Sequence, residues 1–257
     1  HSFPTRRSSD LASSENNIPL ILLDRPNPNG FYVDGPLLDT VYSSFVGKHP
    51  IPIVHGMTLG ELANMMIGEN WINHANHTDL NVILCKNYSH DSVVNIRINP
   101  SPNLQTMKAI YLYPTLGLFE GTIMSVGRGT DFPFLVFGHP EFPEGNITFI
   151  PRSIPGVSTH PKYKGQECQG ILLNDYSMQY LIKHPGIHLE WIILAYERMG
   201  KPEHFFNSFF LNLSGNNKLK NKIASGWSVD KIKKTWEPGL NEFKRMRKKY
   251  LLYNDFH

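Results

Sequence analysis

Cysteine is scarce in this sequence. Only Cys85 and Cys168 occur among 257 residues, and neither lies in a C-x-x-C or mixed Cys/His pattern. The sequence therefore contains no cysteine-based zinc or redox motif. Two buried thiols are the expected state, and a disulfide between them is the alternative.

Long apolar runs and a marked charge excess are also missing. No stretch reaches the roughly 18 to 20 apolar residues that a membrane-spanning helix needs, because Pro, Gly or charged residues interrupt each one. Lysine plus arginine number 25 against 22 acidic residues, which leaves a net charge of +3. This balance disfavours a protein that binds nucleic acid through charge.

Four common catalytic patterns are absent: the Gly-Lys-Ser/Thr ending of a phosphate loop, G-x-G-x-x-G, H-E-x-x-H and G-x-S-x-G. His74 with His77 and His184 with His188 have helical spacing, but Pro185 interrupts the second pair. We therefore expect neither a metal ion nor a cofactor.

The first 17 residues are polar, rich in Ser and Arg, and show neither helical nor strand periodicity. We expect residues 1–17 to be a disordered tail that is foreign to the fold. A secretory signal would need an apolar centre, which this segment lacks, so it gives no evidence on export.

The first elements favour a parallel sheet. The run Ile18–Leu23 is apolar on both faces, as in a central parallel strand, and Leu80–Leu84 is predicted to be a second strand. A helix is predicted from Thr58, because Thr58 and Glu61 form a capping box. Only a polar tail precedes the first strand, so we interpret the chain as a fragment of a larger α/β domain.

A linker at Pro100–Asn103 separates a mixed second part. Short strands are predicted at Phe134–Phe137 and Ile171–Leu173. Helices are predicted at Ile187–Met199, at Asn217–Ser225, and from Ser228 onward with a kink at Pro238 and a solvated basic cluster, Lys244–Lys249, at its end.

The first candidate site is the turn Asp24–Pro28, directly after the first strand. Ligands bind open α/β sheets at the carboxyl ends of their strands, and the two prolines restrict the loop that carries Arg25 and Asn27. A structural loop tied by an ion pair of Asp24 or Arg25 is the alternative.

The second candidate site is the glycine-rich loop Glu120–Thr130. Its glycines permit close approach to a ligand, Arg128 could fork onto a carboxylate, and Glu120 could exchange a proton. Thr122, Ser125 and Thr130 offer hydroxyl groups. A glycine-rich turn with a surface arginine and a structural glutamate is the alternative.

His55 precedes the capped helix near the same strand edge, so it is a further candidate for binding. A hydrogen-bonded structural histidine is the alternative.

These motifs together resemble one family, the NamZ-type exo-β-N-acetylmuramidases, formerly a domain of unknown function. In chain order they are L-D-R-P-N-P from Leu23, D-G-P from Asp34, S-F-V-G from Ser44, P-I-P-I-V-H-G-M-T-L-G-E-L-A from Pro50, P-S-P-N from Pro100, E-G-T from Glu120, S-V-G-R-G-T from Ser125, P-F from Pro133 and Y-L-L-Y from Tyr250. The resemblance covers nearly all of Ile18–Tyr253.

The resemblance implies an α/β fold: the C-terminal part of a Rossmann-like parallel-sheet domain at residues 18–99, followed by a smaller α+β domain at 100–257. It implies release of N-acetylmuramic acid from the non-reducing end of peptidoglycan fragments, in a periplasmic or extracellular protein of cell-wall recycling. The sugar is expected in a cleft between the domains, which adds Ser101 and Asn103 to the candidate binding residues. An arginine, Arg25 or Arg128, would select the lactyl carboxylate of muramic acid.

The chain also departs from the family. The glutamate proposed there as general acid/base lies upstream of Leu23–Pro28, so this chain alone is expected to be inactive. Ile123 stands where relatives have Asn, and Thr115 where they have Gly. A non-catalytic binder of cell-wall sugars is the alternative function, and a cytosolic α/β enzyme acting on a nucleotide or a phosphorylated sugar is disfavoured by the missing phosphate loops.

Overall fold

The computed structural model describes residues 15–16, 18–72 and 79–256. The chain folds into two compact units. The first unit runs to Val94 and resumes at Trp236, and the second unit is Asn95–Thr235. Apart from residues 15 and 16, the predicted N-terminal tail lies outside the described residues, as do His74 and His77.

The described part of the first unit contains a parallel strand pair, an antiparallel strand pair and the helices α1 and α8. The parallel pair is β1 with β4, in the register Leu20↔Leu80, and the antiparallel pair is β2 with β3. The bounds are β1 Leu20–Leu23, β2 Asp34–Leu37, β3 Pro52–Val54, α1 Leu59–Gly68, β4 Leu80–Ile83 and α8 Glu237–Arg247. The predicted parallel pairing of the two strands is therefore confirmed.

Helix α1 begins where the capping box predicts. The Thr58 hydroxyl accepts a hydrogen bond from the Glu61 amide at 3.3 Å, and the Glu61 carboxylate accepts one from the Thr58 amide at 2.8 Å. Gly60 lets this helix end approach the sheet, because a Cβ there would lie 2.5 Å from Val82 Cγ1. The helix N-terminus is thus held against β4.

One face of the parallel pair is open among the described residues. Ile21 and Leu23 are 65% and 71% exposed, and Ile83 is 48% exposed. The other face is covered, in part by α1 through Gly60 and Val82. The apolar run at β1 predicted that both faces of the sheet are covered by other elements. The described part of the chain covers one face.

The second unit combines a three-stranded antiparallel sheet, in the order β5-β7-β6, with short helices. The bounds are α2 Met107–Phe119, β5 Val136–His139, β6 Ile147–Phe149, β7 Cys168–Leu172, α3 Met178–Lys183, α4 Leu189–Arg198, α5 Phe209–Ser214, α6 Lys218–Ala224 and α7 Val229–Lys234. Phe119 of α2 stacks on Phe137 of β5 with ring centroids 4.7 Å apart. The core therefore lies between α2 and the sheet.

The predicted helix from Ser228 is two helices. Ser228 caps α7 as expected, but α7 ends at Lys234 and α8 begins at Glu237. Pro238 lies in the first turn of α8, where its missing N–H costs nothing, so it starts a helix and does not kink one.

The compact units differ from the predicted division at 99/100 in two respects: the boundary lies at 94/95, and α8 and the residues after it group with the first unit. Arg247, at the end of α8, donates to the Gly56 carbonyl, and the Tyr253 hydroxyl donates to Asp24. These bonds tie the C-terminal segment to the turns after β3 and β1.

The two thiols are free, so the disulfide alternative is not realised. Cys168 is fully buried, and burial raises its pKa to about 11, which makes it a poor nucleophile. None of the helices among the described residues has both the length and the apolar character that a membrane crossing requires.

Candidate functional site

Asp24, at the carboxyl end of β1, is occupied by structural bonds. Its carboxylate accepts hydrogen bonds from the amides of Arg25 and Gly60, both at 2.9 Å, and from the Tyr253 hydroxyl at 2.8 Å. Asp24 therefore joins β1, α1 and the C-terminal segment.

Arg25 and Asn27 follow Asp24, and they differ in whether the side chain is engaged in contacts within the protein. The Asn27 amide donates to the Met57 carbonyl at 2.9 Å, and its oxygen accepts from the Asn29 amide at 3.0 Å. Asn27 thus braces the loop against the entry to α1. The Arg25 side chain is exposed and forms no hydrogen bond or ion pair with the part of the chain that is described. Of this motif, Arg25 is the side chain available to a ligand.

His55 is held neutral beside a buried arginine. Its Nδ1 accepts a hydrogen bond from the Met57 amide at 3.2 Å, so the proton of the neutral ring is on Nε2. Burial lowers the pKa of His55 to about 4, and the nearby Arg247 guanidinium acts in the same direction. At neutral pH the ring therefore carries no charge, and its single proton is on Nε2.

Arg247 is fully buried, unlike the solvated basic cluster predicted around it. Its Nε donates to the Gly56 carbonyl at 3.0 Å, and one terminal nitrogen donates to both Asp255 oxygens at 2.7 and 2.9 Å. Its guanidinium also lies 4.8 Å from the centre of the Phe256 ring. Gly56 has φ +62, and a Cβ there would lie 2.7 Å from the Tyr32 carbonyl oxygen. The arginine thereby fixes the turn that carries His55.

A buried ion pair beneath this turn was not predicted from the sequence. Glu61 and His90 are 0% and 1% exposed, and the His90 Nε2 lies 3.0 Å from both Glu61 oxygens. His90 Nδ1 lies 3.0 Å from the Gly30 carbonyl oxygen, so both ring nitrogens face oxygen atoms. The Glu61 carboxylate also accepts from the Leu252 amide at 2.9 Å. Burial raises the pKa of Glu61, but the bonds from His90, Thr58 and Leu252 outweigh burial and hold it below its ordinary value.

In the second unit, the hydroxyls of the glycine-rich loop shape the loop itself. The Thr122 hydroxyl donates to the Phe119 carbonyl at 2.8 Å, and the Thr130 hydroxyl donates to the Gly127 carbonyl at 2.7 Å. The Ser125 hydroxyl accepts from the Gly127 amide at 3.3 Å. Thr122 and Ser125 are buried. Their role in sugar binding stays a prediction, and these bonds show that they stabilise the turn.

Arg128 and Glu120 form a pair within this loop. Arg128 Nε donates to Glu120 Oε1 at 2.8 Å, and a terminal nitrogen lies 2.8 Å from the same oxygen. The guanidinium is 4.8 Å from the centre of the Phe134 ring. These contacts hold Arg128 in one place, while about a quarter of its side chain stays exposed.

Lys162 and Tyr163 clamp the loop from outside, and no motif in the sequence indicated this contact. The Lys162 ammonium donates to the carbonyls of Thr122 and Met124 at 2.6 and 3.0 Å, and the Tyr163 hydroxyl donates to the Ile123 carbonyl at 2.6 Å. Burial lowers the pKa of Lys162, and the neighbouring Glu120 carboxylate opposes that change. We name Glu120, Arg128 and Lys162 the loop cluster; two cations and one carboxylate give it one net positive charge.

The linker residues contain one buried acceptor without a hydrogen-bond partner among the described residues. The Ser101 hydroxyl accepts from the Asn103 amide at 3.2 Å, and the Asn103 side chain donates to the Val157 carbonyl at 3.1 Å. Asn103 is 4% exposed, and its side-chain oxygen has no hydrogen-bond partner among the described residues.

Thr115, which was expected to replace a glycine of the family, has a local structural role. Its hydroxyl accepts a hydrogen bond from the His188 amide at 2.9 Å.

His188 is structural. Its ring stacks on Trp191 with centroids 4.5 Å apart, and its Nδ1 lies 2.8 Å from Glu190. Within the described ranges, no group of three or more His, Cys, Asp or Glu side chains is arranged to hold a metal ion.

Two family models match the chain: "Exo-beta-N-acetylmuramidase NamZ, N-terminal" over residues 10–108 and "Exo-beta-N-acetylmuramidase NamZ, C-terminal" over 111–253. A peptidoglycan β-N-acetylmuramidase NamZ from Bacillus subtilis strain 168 is 36% identical over an alignment of 262 positions. The alignment covers 94% of this chain and 61% of that protein. The chain therefore spans about three fifths of that relative's length.

Solved structures agree with the sequence comparison. A DUF1343 family protein from Bacteroides fragilis is 47% identical with a TM-score of 0.94, covering 98% of this chain and 70% of that one. A second DUF1343 protein from the same organism is 22% identical with a TM-score of 0.77, covering 97% of this chain and 70% of that one, and shares the fold. The family models, which together span most of the sequence, show that the chain belongs to the NamZ exo-β-N-acetylmuramidase family.

Proposed function

We propose that this protein acts on the terminal N-acetylmuramic acid of peptidoglycan fragments, and that Arg128 recognises the lactyl carboxylate of that sugar. The observation that carries the proposal is the fixed position of Arg128. Glu120 and the Phe134 ring hold its guanidinium, and the loop cluster keeps one net positive charge. A cation that is already ordered loses little entropy when it binds a carboxylate.

Arg25 is the second arginine that this proposal involves. It lies at the carboxyl end of β1, exposed and unpaired within the described ranges, next to the rigid Asp24 and Asn27. Open α/β sheets bind ligands at this edge, so Arg25 is proposed as a contact for an anionic ligand at the sheet of the first unit. We also propose that the β1–β4 pair is part of a Rossmann-like sheet and that the protein works in the periplasm or outside the cell.

We propose that acid/base catalysis needs a carboxylate other than those of Asp24, Glu61 and Glu120. Asp24 and Glu61 are fully engaged by backbone and side-chain donors. Glu120 receives two bonds from Arg128, which suits a residue that holds the arginine better than one that protonates a leaving group. The chain by itself is therefore proposed to bind the sugar without cleaving it.

The test pairs cleavage with binding. The 257-residue chain and the Bacillus subtilis relative are incubated with a chromogenic N-acetylmuramic acid glycoside, and binding of N-acetylmuramic acid to the chain is measured by calorimetry. We expect binding by the chain and turnover by the relative. Turnover by the chain at the relative's rate would overturn the proposal about catalysis, and absence of binding would overturn the proposal about recognition.

A non-catalytic binder of cell-wall sugars is the second candidate, favoured by the same engagement of Asp24, Glu61 and Glu120. One experimental outcome distinguishes this second candidate function from the first. If a longer protein that contains this chain and spans the whole length of its relatives binds N-acetylmuramic acid but releases none from the glycoside, the second candidate replaces the first.

A further inference from the structure

A cleft of about 550 Å³ lies in the second unit and shares no lining residue with the loop cluster. Its wall includes the aromatic side chains Tyr176, Tyr180 and Trp191 and the carboxylate of Asp175. This volume is within the range of small-molecule sites, and it accommodates one or two sugar rings.

The aromatic side chains form a fixed platform. Tyr176 lies between Trp191 and Tyr180, with ring centroids 5.1 and 5.4 Å away. The Tyr180 ring is also 4.6 Å from His184, yet Tyr180 is 41% exposed. An exposed ring that is already ordered on its other side is suited to stack against the C–H face of a sugar, because it loses little freedom on binding.

The polar groups of the cleft are suited to hydroxyl and amide partners. Trp191 Nε1 donates to the Tyr176 hydroxyl at 3.2 Å, which leaves the hydroxyl proton of Tyr176 free to be donated to a ligand. Asp175 is exposed at the end of the 3₁₀ turn Leu173–Asp175 and offers acceptor oxygens.

The charge of Asp175 is compensated. Lys108 donates to the Asn174 carbonyl at 2.9 Å, and the Asp175 carboxylate acts on the Lys108 ammonium, opposing the lowering of its pKa by burial. An anion would meet the Asp175 carboxylate in the lining, and Lys108, which is outside the lining, offsets the attraction of that carboxylate for a cation. The cleft therefore favours an uncharged ligand with many hydroxyl groups.

We propose that this cleft is an accessory binding site for an uncharged N-acetylhexosamine, such as the N-acetylglucosamine unit of a peptidoglycan fragment. The preference for an uncharged polyol follows from the cleft, and the choice of this aminosugar rests on the proposed function. The site would retain a glycan on the protein without taking part in bond cleavage.

The test is an NMR titration of the 257-residue chain with chitobiose, the disaccharide of N-acetylglucosamine. We expect saturable binding that Tyr180→Ala weakens about tenfold and Tyr180→Phe changes less than about twofold, because the ring carries the contact. Phe209→Ala is the matched control, since Phe209 in the same unit is also 41% exposed, and it should leave binding unchanged. Thermal unfolding of each variant checks that the fold is kept.

Absence of saturable chitobiose binding, or equal affinity in Tyr180→Ala, would overturn the proposal. Tighter binding of choline than of chitobiose, lost in Tyr180→Ala, would overturn it too, because it would identify an ammonium site. Failure of the proposed function is separate: it would appear as no binding of N-acetylmuramic acid while chitobiose still binds and Tyr180→Ala still weakens it.

Discussion

Replacing Glu61 by Gln tests whether the buried ion pair holds the first unit together. Glu61 is 0% exposed and accepts bonds from the Thr58 amide, the Leu252 amide and the His90 ring. A glutamine keeps one acceptor oxygen and places an NH₂ group against donors, so at least one buried donor loses its partner, at about 1–3 kcal/mol. His90 Nε2, which lies 3.0 Å from both Glu61 oxygens, also loses its charged partner. We expect a total loss of about 3–5 kcal/mol, the usual cost of breaking a buried pair.

Urea unfolding followed by circular dichroism measures this loss, and amide hydrogen exchange at Leu252 and Thr58 locates it. Glu197→Gln is the matched control, because its pair with Lys201 is 3.7 Å long and about half exposed on both sides, so it should cost at most about 1 kcal/mol. His90→Gln in the Glu61→Gln background should recover part of the loss, since it removes the ring that faces the lost carboxylate. A cost no larger than the control's, with unchanged exchange at Leu252, would refute this reasoning.

Three further predictions concern the loop cluster, the glycine-rich loop and His55. Lys162→Met should destabilise the protein by about 1–3 kcal/mol in urea unfolding, because two buried carbonyls lose their donor, whereas the exposed Lys164→Met should have no effect. Gly121→Ala should lower the free energy of unfolding by at least about 1–3 kcal/mol, because its Cβ would lie 2.4 Å from the Phe210 Cα. Gly117→Ala, whose Cβ would meet nothing closer than 3.8 Å, should be neutral or stabilising in the same urea unfolding assay. The His55 pKa of about 4 against an ordinary 6.5 means that the unfolded chain takes up this proton first as the pH falls. Stability should therefore decrease from pH 6.5 to 4, by up to about 3 kcal/mol, relative to His55→Gln; parallel curves for the two proteins would contradict it.

Features set by neighbouring residues were predicted from the sequence. The Thr58–Glu61 capping box, the two parallel strands and the Ser228 helix start each depend on residues within one turn or one alternation of side chains. The glycine-rich loop was also identified from its glycines. Gly127 and Gly129 have φ +75 and +79, angles that favour glycine. Local chemistry is enough for these features.

Helix α2 was missed for a physical reason. Most of its residues are buried, so it shows no polar face and no helical periodicity, and Pro114 inside it is typical of a break. Likewise, the predicted strand at Phe134 begins at Val136, because Phe134 has φ +56, outside the strand region.

The contacts that hold the candidate residues join distant parts of the chain. The hydrogen bonds from Leu252 to Glu61 and from Arg247 to Gly56 each join residues 191 positions apart in the sequence. The bond from Lys162 to the Thr122 carbonyl joins residues 40 positions apart. A lysine that binds backbone carbonyls looks the same in sequence as a surface lysine. Such partners become visible only when the fold brings them together.

Recognition of the lactyl carboxylate by Arg128 is the central claim, and a calorimetric comparison of N-acetylmuramic acid with N-acetylglucosamine, which lacks that group, tests it directly. The comparison is made in the Tyr180→Ala variant, so that the proposed accessory cleft does not contribute binding of N-acetylglucosamine. We expect the chain to prefer N-acetylmuramic acid by at least about tenfold, as one charge-assisted hydrogen bond provides. Arg128→Gln should abolish the preference, whereas Arg198→Gln, which removes an arginine that also bonds a carbonyl and lies over a ring, should keep it. Equal affinity for the two sugars, or an undiminished preference in Arg128→Gln, would contradict this claim.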